Sequence, residues 1–121
     1  MITGDEALNK IEDEFPEIST DLHEEAIEGL LHCQIGEFSR FAQKQIDDND
    51  RETFGRVCRI FLDLFEDADP ALENALNVSF LEHLDFSDGK HARSWGYQFM
   101  PARMRQAFDD MEDYNRKIHG G

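Results

Sequence analysis

The sequence predicts an all-α fold, a compact bundle of six or seven helices that forms a single domain over residues 1–121. Apolar residues recur at intervals of three and four along most of the chain, which is the spacing of a helix face. The breaks between these runs carry helix start and stop signals, and no stretch shows the sustained alternation of a strand. Short connections favour antiparallel neighbours, so we expect a plain bundle, with HEAT-like stacked helix hairpins as the alternative arrangement.

The first helix is predicted from a capping pattern. Thr3 stands three residues before Glu6, which is the spacing of a capping box, and Pro16 is expected to end the helix. Its apolar face comprises Ala7, Leu8, Ile11 and Phe15.

A second and a third helix are predicted before residue 50. Thr20 or Asp21 is expected to cap the second helix, Gly36 to mark a joint, and the third helix to run to about Asp48. The apolar face of the second helix would comprise Leu22, Ala26, Ile27, Leu30 and Leu31. That of the third would comprise Phe38, Phe41, Ala42 and Ile46.

The next two helices have clear start signals. Asp50 can cap a helix over residues 51–67, and Asp69 followed by Pro70 is an N-cap followed by proline at the first helical position. The helix over residues 51–67 is apolar on more than one face, so it should be central to the bundle. Its apolar residues are Phe54, Val57, Cys58, Phe61, Leu62, Leu64 and Phe65.

The C-terminal part is predicted as a loop, a short aromatic segment and a final helix. Residues 85–90 contain Ser87 and Gly89 and are expected to form the loop, and the aromatic segment surrounds Trp95. Pro101 should open the last helix. Its predicted apolar face comprises Met104, Ala107, Phe108, Met111 and Ile118.

The charge of the chain is strongly negative and unevenly distributed. There are 27 acidic against 12 basic residues, which gives a net charge of −15, and residues 1–37 hold eleven of the acids with Lys10 as their single base. Such a field repels nucleic acids and anionic membranes and attracts basic proteins. Solubility is the alternative explanation of the acidity, although most small domains lie within about eight charges of neutrality.

Two groups of acids are candidates for contact with a partner. The N-terminal acidic cluster lies on the predicted second helix, where helical spacing would place its members along one exposed stripe: Asp21, Glu24, Glu25 and Glu28. The turn cluster comes from two connections that antiparallel helices should bring to the same end of the bundle: Asp47, Asp48, Asp50, Asp85 and Asp88.

No metal ion or other cofactor is predicted. His23-Glu24-Glu25 resembles the start of a zinc-protease helix, but Ile27 occupies the position of the second histidine. Residues 85–89 lack the alternating oxygen ligands and terminal glutamate of a calcium loop.

A non-enzymatic function is predicted, because the sequence contains no phosphate-binding glycine loop and no nucleophile elbow. The alternative within the enzyme and ligand-binding classes is a pocket near His83, His91 and Trp95. A further alternative is a DNA mimic that inhibits a DNA-binding protein, because rows of carboxylates can replace phosphates.

The cysteines and the N-terminal residues favour the cytoplasm. Cys33 and Cys58 have no metal-binding spacing and are expected to be reduced thiols packed in the core. The first residues have neither the basic nor the apolar region of a secretion signal. No run approaches the ~20 apolar residues of a membrane span.

One segment carries a family resemblance. Residues 78–84, Val-Ser-Phe-Leu-Glu-His-Leu, resemble a family of short, acidic, helical bacterial proteins with a V-x-F-L-E-x-L signature, over roughly residues 15–115. Residues 74–76 and 38–41 add to the likeness. Proteins of this kind resemble immunity proteins of bacterial toxin systems, including contact-dependent inhibition. The resemblance implies an immunity protein and supplies no catalytic residues. Together with the acidic charge, it leads us to expect a protein that neutralises a cognate basic toxin, in particular a nuclease, by occluding its active site with an acidic surface.

Overall fold

Seven α-helices follow one another in the part of the chain that the structure, a computed structural model, describes: residues 1–87 and 93–118. They are α1 (Gly4–Glu14), α2 (Ser19–Leu22), α3 (Leu31–Asp47), α4 (Arg51–Phe65), α5 (Pro70–Ala75), α6 (Ser94–Phe99) and α7 (Ala102–Ile118). A 3₁₀ turn, Pro16–Ile18, precedes α2, and α5 continues into a π-helical segment, Leu76–Phe80, and a 3₁₀ turn, Leu81–His83. The prediction of an all-α fold is confirmed, and the described residues form only one isolated bridge, between Ile2 and Ala68.

Three predicted helix starts are confirmed by their caps. The Thr3 hydroxyl accepts a hydrogen bond from the Glu6 amide at 3.2 Å, and the Glu6 carboxylate accepts one from the Thr3 amide at 3.1 Å. Asp50 and Asp69 each accept a hydrogen bond from the amide three residues later, at 3.0 and 2.8 Å. Each cap satisfies a backbone donor that the first helical turn leaves without a partner.

The predicted second helix and its predicted cap are wrong. Thr20 and Asp21 lie inside α2, which begins at Ser19 without a side-chain cap. α2 ends at Leu22, residues 23–30 form an irregular turn, and α3 begins at Leu31 and continues through Gly36 to Asp47. The joint expected at Gly36 is therefore also wrong, because a helix interior tolerates a glycine at a cost of about 1 kcal/mol.

Local charge and backbone geometry explain why residues 23–30 do not form a helix. An α-helix would place Glu24 and Glu28 one turn apart on the same face, where like charges destabilise it. Gly29 has a φ of +81°, a left-handed conformation that a helix interior does not contain. His23 ends α2, where its side chain turns toward two carboxylates.

The core is built around α3 and α4. α3 packs against α1, α2, α4, α5 and the π-helical segment. Four fully buried rings connect α3 to α4, to the π-helical segment and to the residue that follows α1. Phe38 lies with its ring centre 6.2 Å from Phe15 and 5.0 Å from Phe80, and Phe80 lies 5.0 Å from Phe61. The predicted core residues of α4 include Phe61, so its assignment to the interior is confirmed.

The C-terminal helices complete the core. The aromatic segment around Trp95 is the helix α6, and Pro101 immediately precedes α7, as predicted. α7 packs against α4, the π-helical segment and the following 3₁₀ turn. Met104, Ala107 and Phe108 are its buried residues, and the side chain of Ile118 lies outside the described part.

None of the helices in residues 1–87 and 93–118 is long and apolar enough to cross a membrane.

Candidate functional site

The irregular turn of residues 23–30 is held to α1 by His23. Its Nε2 atom contacts a carboxylate oxygen of Glu12 in α1, and its Nδ1 atom lies 2.8 Å from a carboxylate oxygen of Glu28. Glu12 also accepts a hydrogen bond from the Ser19 hydroxyl at 3.2 Å. Both ring nitrogens therefore face acceptors, an arrangement that only the doubly protonated imidazolium satisfies.

The electrostatics of His23 agree with this geometry. The hydrogen bond to Glu28 raises the pKa of His23 above its ordinary value of 6.5, and the negative charge of Glu12 raises it further. A cationic His23 thus neutralises part of the surrounding acid and fixes the start of the turn.

The N-terminal acidic cluster lies on this turn rather than on a helix. Asp21 is in the last turn of α2, whereas Glu24, Glu25 and Glu28 belong to the irregular segment. All four side chains are exposed. The expected helical stripe is therefore wrong, and one member of the cluster, Glu28, is already paired with His23.

Two members of this cluster border a groove of about 620 Å³ between the 18–27 segment and α3. Asp21 and Glu24 lie on one side, and Ile27 and Phe41 contribute apolar surface. The α3 side also carries three charged residues: Glu37, Arg40 and Lys44. The groove thus combines a carboxylate border with an apolar floor.

The cations of this groove already have partners. Arg40 lies 3.2 Å from Glu37, and Lys44 lies 2.6 Å from Asp48. Within the described residues, no cation contacts Asp21, Glu24 or Glu25. Glu24 accepts a hydrogen bond from the Ala26 amide at 3.2 Å, but no cation of the described residues neutralises any of these three carboxylates.

The turn cluster is largely satisfied within the chain. The structure brings Asp47 and Asp85 together as predicted, because the guanidinium of Arg93 bridges them at 2.7 and 2.6 Å. Gln43 adds a second link, since its side-chain amide donates to the Asp47 carboxylate and to the backbone carbonyl of Asp85.

The other turn-cluster acids also have internal roles. Asp48 pairs with Lys44, and Asp50 caps α4 through the backbone and hydroxyl of Thr53, which lowers the pKa of Asp50. Asp88 lies outside the described residues. The four described members of the turn cluster therefore all have partners within the chain.

The alternative pocket near His83, His91 and Trp95 stays a prediction, because His91 lies outside the described residues. His83 is exposed on the 3₁₀ turn, and four grooves formed by described residues include neither His83 nor Trp95. Trp95 instead packs its ring edge-on against Phe54 at 5.7 Å, with the guanidinium of Arg51 4.7 Å from its centre.

No group of three or more histidine, cysteine or carboxylate side chains in residues 1–87 and 93–118 could hold a metal ion. His32 hydrogen-bonds through Nδ1 to the Ser79 hydroxyl at 2.7 Å. Cys33 is exposed, so its expected place in the core is wrong. Cys58 is buried as predicted, and burial raises the pKa of its thiol to about 12.

The segment with the V-x-F-L-E-x-L pattern divides between the core and a second groove that sequence reasoning missed. Phe80, Leu81 and Leu84 are buried, whereas Val78 and Glu82 line the groove together with residues of α7. The spacing of Val78 and Glu82, four residues apart, was the available signal, because such residues share a helix face.

Residues 8–116, most of the chain, match the family described as "Domain of unknown function (DUF7674)", and the chain therefore belongs to this family. No curated protein and no solved structure matches the chain.

Proposed function

We propose that this member of the DUF7674 family is a cytoplasmic, non-enzymatic binding protein that neutralises a basic protein. In this proposal the partner is a bacterial toxin, of the nuclease class, and the chain is its immunity protein. The carboxylates of the N-terminal acidic cluster occupy the positions that substrate phosphates take opposite the lysine and arginine side chains of the toxin. Inhibition then follows from occlusion of the active site and requires no chemistry by the chain.

The observation that carries the proposal is the difference between the two acidic clusters. Asp21, Glu24 and Glu25 are exposed and have no cationic partner among the described residues, whereas Asp47 and Asp85 share Arg93. Maintaining uncompensated charge in a chain at −15 costs stability through self-repulsion. A basic partner supplies the missing compensation.

The groove beside the cluster supports two separate contributions to binding. Long-range attraction by the carboxylates raises the association rate, by about 10- to 1000-fold at low salt. Ile27 and Phe41 offer apolar surface on which an anchor side chain of the partner could be buried, and such central contacts govern dissociation.

The free cysteines support the cytoplasmic part of the proposal. Cys33 is exposed and unpaired, and exposed free thiols persist in a reducing compartment.

The test uses the toxin domain that the proposal expects to be encoded beside the gene for this chain. We expect co-expression of the chain to restore growth of cells that produce this domain. We also expect surface plasmon resonance to show binding that weakens steeply between about 50 and 500 mM salt, which spans weak to strong screening. The variant Asp21→Asn/Glu24→Gln/Glu25→Gln should associate at least about ten-fold more slowly, with a smaller change in dissociation.

A matched variant distinguishes the effect of where the acids lie from the effect of the total net charge. Asp63→Asn/Glu66→Gln/Asp67→Asn removes the same amount of charge from exposed acids outside both clusters. It should retain most of the association rate. Salt-independent binding, or equal losses in the two triple variants, would contradict the proposal that this cluster forms the contact.

A further inference from the structure

The second groove lies between the π-helical segment and α7, on a part of the surface that shares no lining residue with the N-terminal acidic groove. It has a volume of about 440 Å³. An adjoining groove of about 330 Å³ shares Glu73, Asn74 and Asn77 with it and extends to Met1. The two grooves therefore form one continuous face, which we call the α7 groove.

Large apolar side chains are left in solvent on this face. Val78 is 43% exposed, Tyr114 is 64% exposed and Met1 is 81% exposed. Leu30 and Phe99 are the other large apolar residues of the described part with comparable exposure. Three of five such side chains thus border one groove, which is the distribution expected of an interaction site rather than of scattered surface residues.

The backbone beneath the groove has an unusual conformation. The π-helical segment Leu76–Phe80 directs Leu76, Ser79 and Phe80 into the core and leaves Asn77 and Val78 at the groove. π-helical turns are rare and occur frequently at functional sites.

The polar groups of the α7 groove favour a basic segment of a protein. Glu73, Glu82 and Asp110 line it against one cation, Arg103, whose guanidinium lies 5.2 Å from the Phe65 ring centre.

The groove also offers groups that match a peptide backbone. The side-chain amides of Asn74 and Asn77 can each donate to a carbonyl and accept from an amide of a peptide main chain.

We propose that the α7 groove is a second docking surface, for an extended basic peptide segment of a protein partner. An apolar side chain of the segment lies between Val78 and Tyr114. Its lysine or arginine side chains face Glu73, Glu82 and Asp110. A second copy of this chain is a poorer occupant, because it carries the same net charge of −15.

The test uses a phage-displayed library of random nonapeptides selected on the full chain at about 100 mM salt, where the Debye length is about 10 Å. The variant Val78→Ser/Tyr114→Ser serves for counter-selection. We expect enriched peptides to combine lysine or arginine with leucine, isoleucine or phenylalanine. No enrichment, or enrichment of acidic sequences, would overturn the proposal.

The enriched peptide is then measured by fluorescence anisotropy against matched variants. Its Kd should rise at least about ten-fold for Val78→Ser/Tyr114→Ser, as expected when an apolar anchor site is removed. The control Leu30→Ser removes an equally exposed apolar side chain outside the groove and should bind as the wild type does. Equal loss in the control would overturn the proposal.

Charge variants test the α7 groove without the apolar substitutions. They also distinguish a failure of this inference from a failure of the proposed function. Glu73→Gln/Glu82→Gln/Asp110→Asn should weaken the peptide, whereas Asp21→Asn/Glu24→Gln/Glu25→Gln should not. The reverse pattern would assign the peptide to the N-terminal acidic cluster and overturn this inference alone. Sedimentation should show the same mass for the wild type and Val78→Ser/Tyr114→Ser, and a dimer lost in the variant would overturn the proposed occupant.

Discussion

Phe61 in α4 has no exposed surface and stacks on two other aromatic rings. Its ring centre lies 5.2 Å from Phe65 and 5.0 Å from Phe80. The sequence predicted this position, because Phe61 belongs to the most broadly apolar run of the chain. Its partner Phe80 lies on the π-helical segment, so Phe61 also connects α4 to the part of the backbone that borders the α7 groove.

Phe61→Ala should therefore lower the free energy of unfolding by ~3–5 kcal/mol, as truncation of a buried phenylalanine does. Denaturant titration followed by circular dichroism measures this loss. Tyr114→Ala is the control: it truncates an aromatic residue that is 64% exposed and should change stability by only about 0.5 kcal/mol. A loss below ~1 kcal/mol for Phe61→Ala would contradict its structural role.

His23 makes the turn of residues 23–30 sensitive to pH. Folding raises the pKa of His23 through Glu28 and Glu12, so the folded state binds the proton more tightly than the unfolded state does. The stabilising contribution is complete below the unfolded value of 6.5 and is lost as the pH rises through the raised folded value. The turn should therefore loosen at alkaline pH.

Hydrogen exchange of the Ile27 and Leu30 amides, corrected for intrinsic rates, measures this opening between about pH 6 and pH 9, a range that includes the histidine titration. We expect protection to decrease with pH in the wild type. His23→Gln should have low protection throughout and no such pH dependence. A wild-type profile that is flat, or that rises with pH, would contradict the proposed ion pairs.

The helices show which sequence signals determine structure by themselves. Three of the four predicted caps are confirmed: Thr3, Asp50 and Asp69 begin helices because each side chain satisfies a backbone amide of the first turn, whereas neither Thr20 nor Asp21 caps α2. Apolar periodicity alone was a poorer guide, since it predicted a helix through residues 23–30, where the structure has an irregular turn. There the repulsion among three glutamates and the left-handed Gly29 outweighed the spacing of Ile27 and Leu30.

The features that could not be predicted from the sequence depend on contacts between residues that are far apart in the chain. The pairing of Glu12 with His23 and the sharing of Arg93 by Asp47 and Asp85 join residues that local patterns do not relate. The sequence identified the acidic residues of both clusters, but only these contacts distinguish an available carboxylate from an occupied one. The π-helical segment was likewise unpredictable, because its residues have ordinary helical spacing.

Two glycines provide a test at the level of the helices. Gly36 lies inside α3, and a Cβ atom there would meet no atom within 4 Å, so Gly36→Ala should stabilise the protein by about 0.4–1 kcal/mol. A Cβ at Gly29 would also meet no atom, but its φ of +81° makes Gly29→Ala unfavourable by about 1 kcal/mol. Thermal unfolding measures both. Equal effects of the two substitutions would contradict the difference in backbone conformation between the left-handed Gly29 and the helical Gly36.

The whole molecule is expected to be stable without a metal ion. EDTA should change neither the melting temperature nor the binding of the toxin domain, because the described residues provide no ligand set and a structural metal would contribute folding energy. Elemental analysis of the purified protein is the accompanying measurement. A stoichiometric zinc or calcium ion that is lost together with stability would contradict this prediction.

In a chain with a net charge of −15, neutralising the two acidic clusters should change the stability of the protein in opposite directions. Asp21→Asn/Glu24→Gln/Glu25→Gln removes repulsion without breaking any ion pair of the described residues, so it should leave stability unchanged or raise it. Asp47→Asn/Asp85→Asn removes two carboxylates that contact Arg93 within the described residues, and it should lower stability by about 1 kcal/mol, because pairs near the surface contribute ~0–1 kcal/mol each.

Thermal unfolding from about 0.05 to 0.5 M sodium chloride measures both effects, since this range shortens the Debye length from well above to well below 10 Å. The wild type should gain stability as salt screens its self-repulsion, and the first variant should gain less. If that variant were instead destabilised as much as Asp47→Asn/Asp85→Asn, the N-terminal acids would be structural. They would then not be free to compensate a basic partner, and the proposed contact surface would lose its physical basis.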